Sequence, residues 1–456
     1  MSIQTVDIKT YSQNLQVNPE MKQQYGEIFT PFSLIEKMFS LFNDELFSDP
    51  NKKWLDAGAG TGFFSMFLYH KLNTGLEKKF PNAIKRHNHI IQNMIYMVEI
   101  RHENITKLQT LFGEDANIYH QDFLSDFKLP PLDYIIGNPP YNFNGIKKVP
   151  TNKLKKKTQD GRTIWIDFIK KSISLLKQNG HLLFIIPSIW MKPDREKTYH
   201  YLTQFKIHKL CCLTNTETNK YFNKEAQTPT CYFTLEKKPT DHSIALYDNQ
   251  KQMYVNYAFK EGDAIPLFAS SIINKLQSFV KKAGNIKVIK TNMPSKKSLF
   301  STSPSKTHPY KNIKTCILDK LRPKLVVNYS NIRQVYSGQT KLVLAHKMYG
   351  FPYLDEEGDF GISNRDNYIV VERNIKELRE IKDFLSTKTA LYLFESARYR
   401  MKYLEKYAFE FIPDITQLDD FPKDINDSSI AKYFGFDELD IKNIQAYHKK
   451  PYECNQ

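Results

Sequence analysis

The stretch DYIIGNPPY, residues 133–141, constrains the fold of this chain more than any other. Its apolar run, Tyr134 to Ile136, predicts a short buried strand that stops at Gly137. The two prolines that follow exclude both a helix and ladder pairing, because proline lacks a backbone N–H and has a fixed φ. Asn138 and Tyr141 are therefore expected on a stiff turn at the carboxyl end of a strand, where ligands bind in open α/β sheets.

This turn carries groups that suit a planar base with an exocyclic amino group. The amide oxygen of Asn138 and the carbonyl of Pro139 can accept the two amino hydrogens, and the ring of Tyr141 can stack on the base. Pro140 stiffens the turn between them. An ordinary strand-ending turn is the competing interpretation, because Pro-Pro turns are common, and the other motifs decide between the two.

The segment GEIFTPFSLIEKM, residues 26–38, predicts a helix that begins at a threonine-proline turn. Thr30 is expected to cap this helix, and Pro31 to occupy its first position. Apolar residues at helical spacing predict one buried face. These residues are Leu34, Ile35 and Met38.

Residues 55–64, LDAGAGTGFF, predict a short strand that ends in a glycine-rich turn and leads into an apolar helix. Glycine lets backbone amides come close to a ligand and lets the chain bend tightly. The order Asp-x-Gly-x-Gly-x-Gly differs from the G-x-G-x-x-G of dinucleotide folds. The residues of this pattern are Asp56, Gly58, Gly60 and Gly62.

Polar residues also follow the next two predicted strands. Residues 95–100 predict a second strand, and Glu99 near its end can accept hydrogen bonds from both hydroxyls of a ribose. Residues 117–120 predict a third strand, after which Asp122 can accept from an adenine amino group and Phe123 can wall the ring. Such signatures at successive strand ends, in one order, are the strongest evidence in the sequence.

In this order the motifs resemble those of the gamma class of DNA N6-adenine methyltransferases, which use S-adenosyl-L-methionine. The resemblance covers residues 25–240. It implies that residues 1–240 form an α/β, Rossmann-like catalytic domain with a mostly parallel seven-stranded sheet. It also implies an aromatic residue before a late strand that sandwiches the flipped base against Tyr141. Phe222 is our candidate for that residue, and Tyr221 is the second choice.

The resemblance implies two sets of site residues. Direct methyl transfer needs positioning and charge complementarity, so we expect no metal in this reaction. The catalytic set is Asn138, Pro139, Pro140, Tyr141 and Phe222. The cofactor-binding set is Thr30, Pro31, Asp56, Gly58, Gly60, Gly62, Glu99, Asp122 and Phe123.

Positive charge is concentrated in the second half of the chain. The formal net charge is +16, and the segment 281–350 alone carries fifteen Lys and Arg against one acid, Asp319. Such a segment, interleaved with tyrosines, suits contacts to phosphates and base edges. The resemblance implies that residues 241–456 form a mixed α+β target-recognition domain, and this charge fits binding to double-stranded DNA. A second basic stretch, residues 144–163, predicts a phosphate-gripping loop beside the active site.

Composition narrows the cellular setting. The sequence has no run of about 18 apolar residues and no apolar signal segment at its start. We therefore expect a cytoplasmic protein without membrane association. We also expect it to be a monomer or a dimer. Five cysteines without a C-x-x-C pair favour reduced thiols. Only about 24 residues precede the first motif, which predicts methylation without cleavage in this chain. A separate restriction endonuclease is a possible partner, and the sequence leaves open whether one exists. His181 is expected to be structural.

The sequence favours a site-specific adenine methyltransferase, either in a restriction-modification system or as an orphan, and leaves alternatives open. RNA adenine, a protein glutamine amide or cytosine N4 would also suit the Asn-Pro-Pro-Tyr turn. The long basic domain argues against glutamine, and no stacking-rich RNA module is recognisable. An alternative of another class is a non-catalytic DNA-binding subunit with a decayed cofactor pocket. The intact glycine loop and Asn-Pro-Pro-Tyr turn argue against that alternative.

Overall fold

In the structure, a computed structural model, the chain forms two compact units. Unit 1 comprises Met1–Tyr247 and Ala258–Gly262, and unit 2 comprises Asp248–Tyr257 and Asp263–Gln456. The residues that the structure describes are 3–4, 29–142, 163–222, 228–319, 322–346, 351–400 and 403–447.

Unit 1 is built on one large, mostly parallel sheet, which confirms the predicted α/β class. Eight of its strands follow the order β3-β2-β1-β4-β5-β7-β6-β8, and β7 is antiparallel to both β5 and β6. The sheet is wider than the seven strands predicted, because β8 pairs in parallel with β6. The strands are β1 (Trp54–Ala57), β2 (Ile95–Glu99), β3 (Asn117–His120), β4 (Leu132–Gly137), β5 (Leu176–Pro187), β6 (Phe205–Leu213), β7 (Thr230–Pro239) and β8 (Ser243–Asp248).

Helices of unit 1 pack their apolar faces against this sheet. Side chains of α1 and α2 share one buried cluster with residues of β1, β2 and β4. The buried face of α1 is the predicted one, formed by Leu34, Ile35 and Met38. The helices are α1 (Phe32–Phe39), α2 (Phe63–Gly75), α3 (Ala83–His89), α4 (His102–Phe112), α5 (Trp165–Leu175), α6 (Thr198–Thr203) and α7 (Asn215–Tyr221), with 3₁₀ turns at Asp44–Ser48 and Ser188–Trp190 and a π-helical turn at Ile90–Met94.

A column of five stacked rings runs across the amino ends of the central strands. The centroids of Phe47 and Trp54 lie 5.5 Å apart, and those of Trp54 and Tyr134 lie 4.0 Å apart. The column continues from Tyr134 to His181 at 5.4 Å and from His181 to His208 at 5.8 Å, with all four interplanar angles between 15° and 22°. Aromatic pairs of this kind contribute about 0.5–1.5 kcal/mol each beyond burial. We call these five residues the ring column.

Unit 2 combines two four-stranded sheets with separate helices, the mixed α+β arrangement predicted for the second half. The sheet orders are β10-β17-β14-β15 and β11-β13-β12-β16. The strands are β9 (Met253–Ala258, at the boundary of the units), β10 (Ile289–Lys290), β11 (Phe300–Ser301), β12 (Tyr310–Asp319), β13 (Arg322–Ser330), β14 (Lys341–Ala345), β15 (Tyr353–Asp355), β16 (Gly361–Ile362) and β17 (Asn367–Val370). The helices are α8 (Ser270–Ala283), α9 (Ile375–Leu385), α10 (Lys388–Ser396), α11 (Asp427–Phe434) and α12 (Glu438–Ala446), with 3₁₀ turns at Lys406–Phe411 and Ile415–Gln417.

A buried ion pair lies in the core of unit 2. Lys341 and Asp355 are both almost inaccessible to solvent, and their charged atoms lie 2.5 Å apart. Lys341 also donates to the carbonyls of Tyr336 and Gln339, while the Asp355 carboxylate accepts from the backbone N–H of Phe360. Burial lowers the pKa of Lys341, and the nearby carboxylate opposes that shift. None of the helices that the structure describes is both long enough and apolar enough to cross a membrane.

Candidate active site

One pocket of unit 1 lies where β1, β2, β3 and β4 end. Because these strands are parallel, their carboxyl ends meet at the same edge of the sheet. Eleven of the fourteen predicted site residues line this pocket. From the catalytic set they are Asn138, Pro139, Pro140, Tyr141 and Phe222. From the cofactor-binding set they are Thr30, Gly58, Gly60, Glu99, Asp122 and Phe123.

The glycine loop between β1 and α2 takes backbone conformations that other residues rarely adopt. Gly58, Gly60 and Gly62 have φ values of +92°, +55° and +88°. Apart from its own chain neighbours, no atom of a described residue lies within 4 Å of the position that a Cβ of Gly60 would occupy, so this part of the loop leaves room for a ligand. A Cβ on Gly62 would lie 2.8 Å from Cδ2 of Leu108, so Gly62 serves the packing against α4 and does not line the pocket.

Asp56 lies behind the loop and does not line the pocket. Its Oδ2 accepts hydrogen bonds from the backbone N–H of Ser65 at 3.2 Å and from the Ser65 hydroxyl at 2.7 Å, which ties β1 to the first turn of α2. Its other oxygen accepts no hydrogen bond from a described residue. Burial raises the pKa of Asp56 to about 7, against the opposing effect of the Ser65 hydrogen bonds.

Glu99 places a buried carboxylate between the loop and the end of β2. One oxygen accepts from the backbone N–H of Gly60 at 2.7 Å, and the other accepts from the backbone N–H of Arg101 at 2.8 Å. Each carboxylate oxygen can accept more than one hydrogen bond. Glu99 can therefore hold the loop and still accept from the hydroxyls of a ribose in the pocket.

The pocket wall after β3 combines an acid with an aromatic ring. The exposed Asp122 accepts from the backbone N–H of Leu124 at 2.9 Å. Phe123 is buried, and its ring centroid lies 5.0 Å from that of Phe168 on α5. Phe168 lines the pocket and was not in the predicted set, although the apolar spacing of α5 placed it on the inward face. Its helical pattern indicated burial but gave no sign of a ligand contact.

The amide of Asn138 is oriented by a residue 108 positions earlier in the chain. Its Nδ2 donates to the Thr30 hydroxyl at 3.1 Å, and its buried Oδ1 accepts no hydrogen bond from a described residue. The predicted capping role of Thr30 is wrong: the position before α1 is Pro31, and no side chain among the described residues caps the helix. The Pro31 carbonyl accepts from the backbone N–H groups of Leu34 and Ile35. The Thr30 hydroxyl faces Asn138 instead.

Two aromatic residues of the predicted catalytic set lie in the pocket wall. The Tyr141 hydroxyl is buried without a hydrogen bond to a described residue, and burial raises its pKa. Phe222 is buried at the carboxyl end of α7. Tyr221, the second choice, accepts a hydrogen bond from Lys37 at 2.8 Å and does not line the pocket. The predicted basic loop, residues 144–163, lies outside the described residues except for Thr163.

The pocket fits S-adenosyl-L-methionine in the chemistry of its groups. Open space in front of Gly60 can admit the cofactor close to the backbone, and the Glu99 carboxylate offers acceptors for a ribose. The apolar wall around Phe123 suits an adenine ring, and Asp122 beside it offers an acceptor for the ring's amino group. An unsatisfied amide oxygen on Asn138 remains for a second ligand.

Residues 12–222 match the family model described as Eco57I restriction-modification methylase. Among curated relatives, the Type II methyltransferase M.AccI of Acinetobacter calcoaceticus is 29% identical over 198 residues, which is 41% of this chain and 32% of the relative. The Type II methyltransferase M.BsuBI of Bacillus subtilis is 26% identical over 205 residues, 41% of this chain and 38% of the relative. The chain thus spans about a third of the length of these relatives.

Solved structures show a partial likeness. One is a nuclease-deletion mutant of the Type ISP restriction-modification enzyme LlaGI, in complex with a DNA substrate mimic. Its sequence is 12% identical and its TM-score is 0.47, and the match covers 85% of this chain and 45% of the LlaGI chain. The M protein of the Type I restriction enzyme EcoKI is 16% identical with a TM-score of 0.36 and covers 50% of this chain and 49% of its own. S-adenosyl-L-methionine is the cofactor of the site, and over residues 12–222 the chain is related in sequence to restriction-modification methylases of the Eco57I type.

Proposed function

We propose that this protein transfers a methyl group from S-adenosyl-L-methionine to the N6 amino group of an adenine in double-stranded DNA. It would act at specific sites, either as the modification component of a restriction-modification system, with a separate endonuclease, or as an orphan methyltransferase. The observation that carries this proposal is the Asn138 amide. Thr30 holds its nitrogen, so the buried oxygen is the group left to accept a hydrogen from a substrate amine.

The amine of adenine is a poor nucleophile, because its lone pair is delocalised into the ring. We assign Asn138 Oδ1 and the Pro139 carbonyl as the two acceptors of the amino hydrogens. Accepting both hydrogens favours a tetrahedral nitrogen whose lone pair is free to attack. When bound, the cofactor would supply an electrophilic sulfonium methyl group with S-adenosylhomocysteine as the leaving group, and the methylated amine would release its extra proton to water.

The adenine must leave the duplex to reach this pocket. Unstacking a base costs a few kcal/mol, and flat apolar walls can return part of that free energy by stacking. We assign Tyr141 and Phe222 to the two faces of the extruded base. Both residues line the pocket that Asn138 lines, as this role requires.

The cofactor roles follow the same pocket. We assign Glu99 to the ribose hydroxyls, Asp122 to the adenine amino group of the cofactor and Phe123 to its ring. Thr30 and the loop residues Gly58 and Gly60, which line the pocket, would face the rest of the cofactor, whereas Pro31 and Gly62 do not line it. Asp56 does not line the pocket, so its role is to hold the loop and α2 in position through Ser65.

Unit 2 is our candidate for the DNA-reading domain. Basic residues of β12 and of the segments before it are exposed, and Lys311 lies 4.4 Å from the ring centroid of Phe360. Arg333 lies 5.9 Å from the ring centroid of Tyr310. Exposed cations beside flat rings suit phosphates and bases. If this unit neutralises phosphates, the affinity for duplex DNA will fall steeply as salt rises.

A labelled-methyl transfer assay tests the proposal. The full chain is incubated with methyl-labelled S-adenosyl-L-methionine and, separately, duplex DNA, duplex RNA and a protein extract. Label in DNA that digestion identifies as N6-methyladenine supports the proposal, and Asn138→Ala should lower that rate by about 10²–10³-fold, as the loss of one preorganised group does in other enzymes. Label as N4-methylcytosine, or only in RNA or protein, would overturn it.

A further inference from the structure

Three metal-ligating side chains converge at the end of the sheet opposite the pocket. They are His181 on β5, His208 on β6 and Glu236 on β7. Tyr134, near the start of β4, pairs with His181, whereas Gly137 at its end pairs with Phe184. The cluster therefore lies at the amino ends of the parallel strands β4, β5 and β6 and at the carboxyl end of the antiparallel β7, and the proposed methyl transfer does not use it.

A β-bulge brings His208 into the cluster. Ile207 pairs with Leu235 and Lys209 pairs with Thr234, so His208 is an extra residue on β6. Bulges re-aim side chains and recur next to functional sites. As a result, the His208 ring reaches across β7 and stacks at 5.8 Å on His181, although β5 and β6 are not adjacent in the sheet.

The three side chains are close and already oriented. One ligand atom from each lies within 4.8 Å of the others, and His208 Nε2 lies 2.7 Å from a carboxylate oxygen of Glu236. The ring of His181 is fixed by stacking on Tyr134 and by an edge contact to Phe42 at 6.4 Å. A ring held in this way loses little side-chain entropy when it binds an ion.

We propose that His181, His208 and Glu236 bind one divalent transition-metal ion of the zinc class. Two imidazoles and a carboxylate are ligands that Zn²⁺ accepts, with water in the remaining position. Zinc–nitrogen bonds are about 2.0–2.1 Å long, so the ligand atoms must draw together by small rotations. The His208 side chain is 37% exposed and has room to rotate. The ion would cross-link three strands at the end of the sheet away from the pocket.

Lys238 competes with the ion for Glu236. Its Nζ lies 2.5 Å from the same carboxylate oxygen that His208 contacts. The ammonium and a metal ion cannot share this position, so the metal must displace Lys238, whose side chain is 41% exposed and can move into water. An ion pair alone and a metal site therefore predict opposite effects of removing Lys238.

The full chain, stripped with a chelator, is titrated with Zn²⁺ by calorimetry and with Co²⁺ by visible absorption. We expect one ion per chain. Glu236→Gln and His208→Gln should each weaken binding by about tenfold or more, since even outer-shell changes cost about 10–100-fold. Lys238→Met should strengthen it. His200→Gln is the matched control, because His200 pairs with Glu261 at 3.5 Å outside the cluster, and it should leave the affinity unchanged.

Several results would overturn the metal site. The first is that no ion binds in stoichiometric amount, and the second is that Glu236→Gln and His208→Gln leave the metal affinity unchanged. The others are that Lys238→Met binds the metal more weakly, or that the His200→Gln control loses as much metal affinity as the ligand variants. Circular dichroism establishes that each variant folds, and His181→Asn provides a further ligand variant if one does not. Methyl transfer by the stripped protein is measured in parallel, and we expect it to persist, so the two proposals fail separately.

Discussion

The hydrogen bond from Asn138 to Thr30 gives the sharpest test of the proposed chemistry. Thr30→Val removes the hydroxyl and nearly preserves the volume of a side chain that is only 5% exposed. The Asn138 amide then loses the partner of its nitrogen, and it can rotate so that the nitrogen, a donor, faces the substrate amine. A donor opposite a donor cannot activate the amine.

The size of the effect follows from the hydrogen bond. Leaving a buried polar group unsatisfied costs about 1–3 kcal/mol. This free energy sets the range of the preference of the Asn138 amide for the orientation in which its oxygen faces the substrate amine. At about 1.4 kcal/mol per factor of ten, the rate of methyl transfer should fall by about 5- to 150-fold. Thr30→Ser keeps the hydroxyl and should stay within about threefold of the unmodified protein, because it retains the same acceptor.

Single-turnover methyl transfer to duplex DNA, with cofactor binding measured separately, is the appropriate assay. The reasoning requires a lower rate in Thr30→Val at saturating cofactor, so a change confined to cofactor affinity would contradict it. Full activity of Thr30→Val would refute the orienting role. So would an equal loss in Thr30→Ser, because that variant retains the acceptor.

Three further perturbations test other parts of the structure. Glu99→Gln should weaken cofactor binding by about 10–100-fold, as expected for charge-assisted hydrogen bonds of about 1.5–3 kcal/mol, and calorimetric titration with the cofactor measures this. Burial raises the pKa of Asp56 from 3.8 to about 7, so between these values the folded state holds a proton that the unfolded state has lost. Thermal unfolding should therefore show that stability falls from pH 4 to pH 7 more steeply in the unmodified protein than in Asp56→Asn. Equal slopes in the two proteins would contradict the shift. Lys341→Met should lower the free energy of unfolding in urea by about 3–5 kcal/mol by leaving the Asp355 carboxylate buried and unpaired, whereas adding Asp355→Leu should recover much of that loss.

Local sequence patterns predicted the parts of the fold that depend on local chemistry. The bounds of β3 and the buried face of α1 match the expectation, because strand and helix periodicity are properties of neighbouring residues. The strand-end positions of Glu99 and Asn138 were also expected, since a break after an apolar run marks the end of a strand. The common pocket then follows from parallel pairing.

What the sequence did not predict depends on contacts between distant residues. The pattern at Thr30 is that of a helix cap, but its partner lies on β4, and no local rule could identify Asn138 as that partner. Asp56 has the spacing of a ligand-contacting acid, yet burial places it behind the loop. The bulge at His208 is a mismatch between two strands, which only their pairing reveals.

The covalent path between the two units has a consequence for how such proteins diversify. The chain crosses from one unit to the other three times, after residues 247, 257 and 262. A single recombination breakpoint within residues 247–263 would therefore leave part of one unit joined to the other unit. A second unit acquired through one breakpoint would therefore either bring residues 258–262 of the first unit with it or leave residues 248–257 of the old second unit behind.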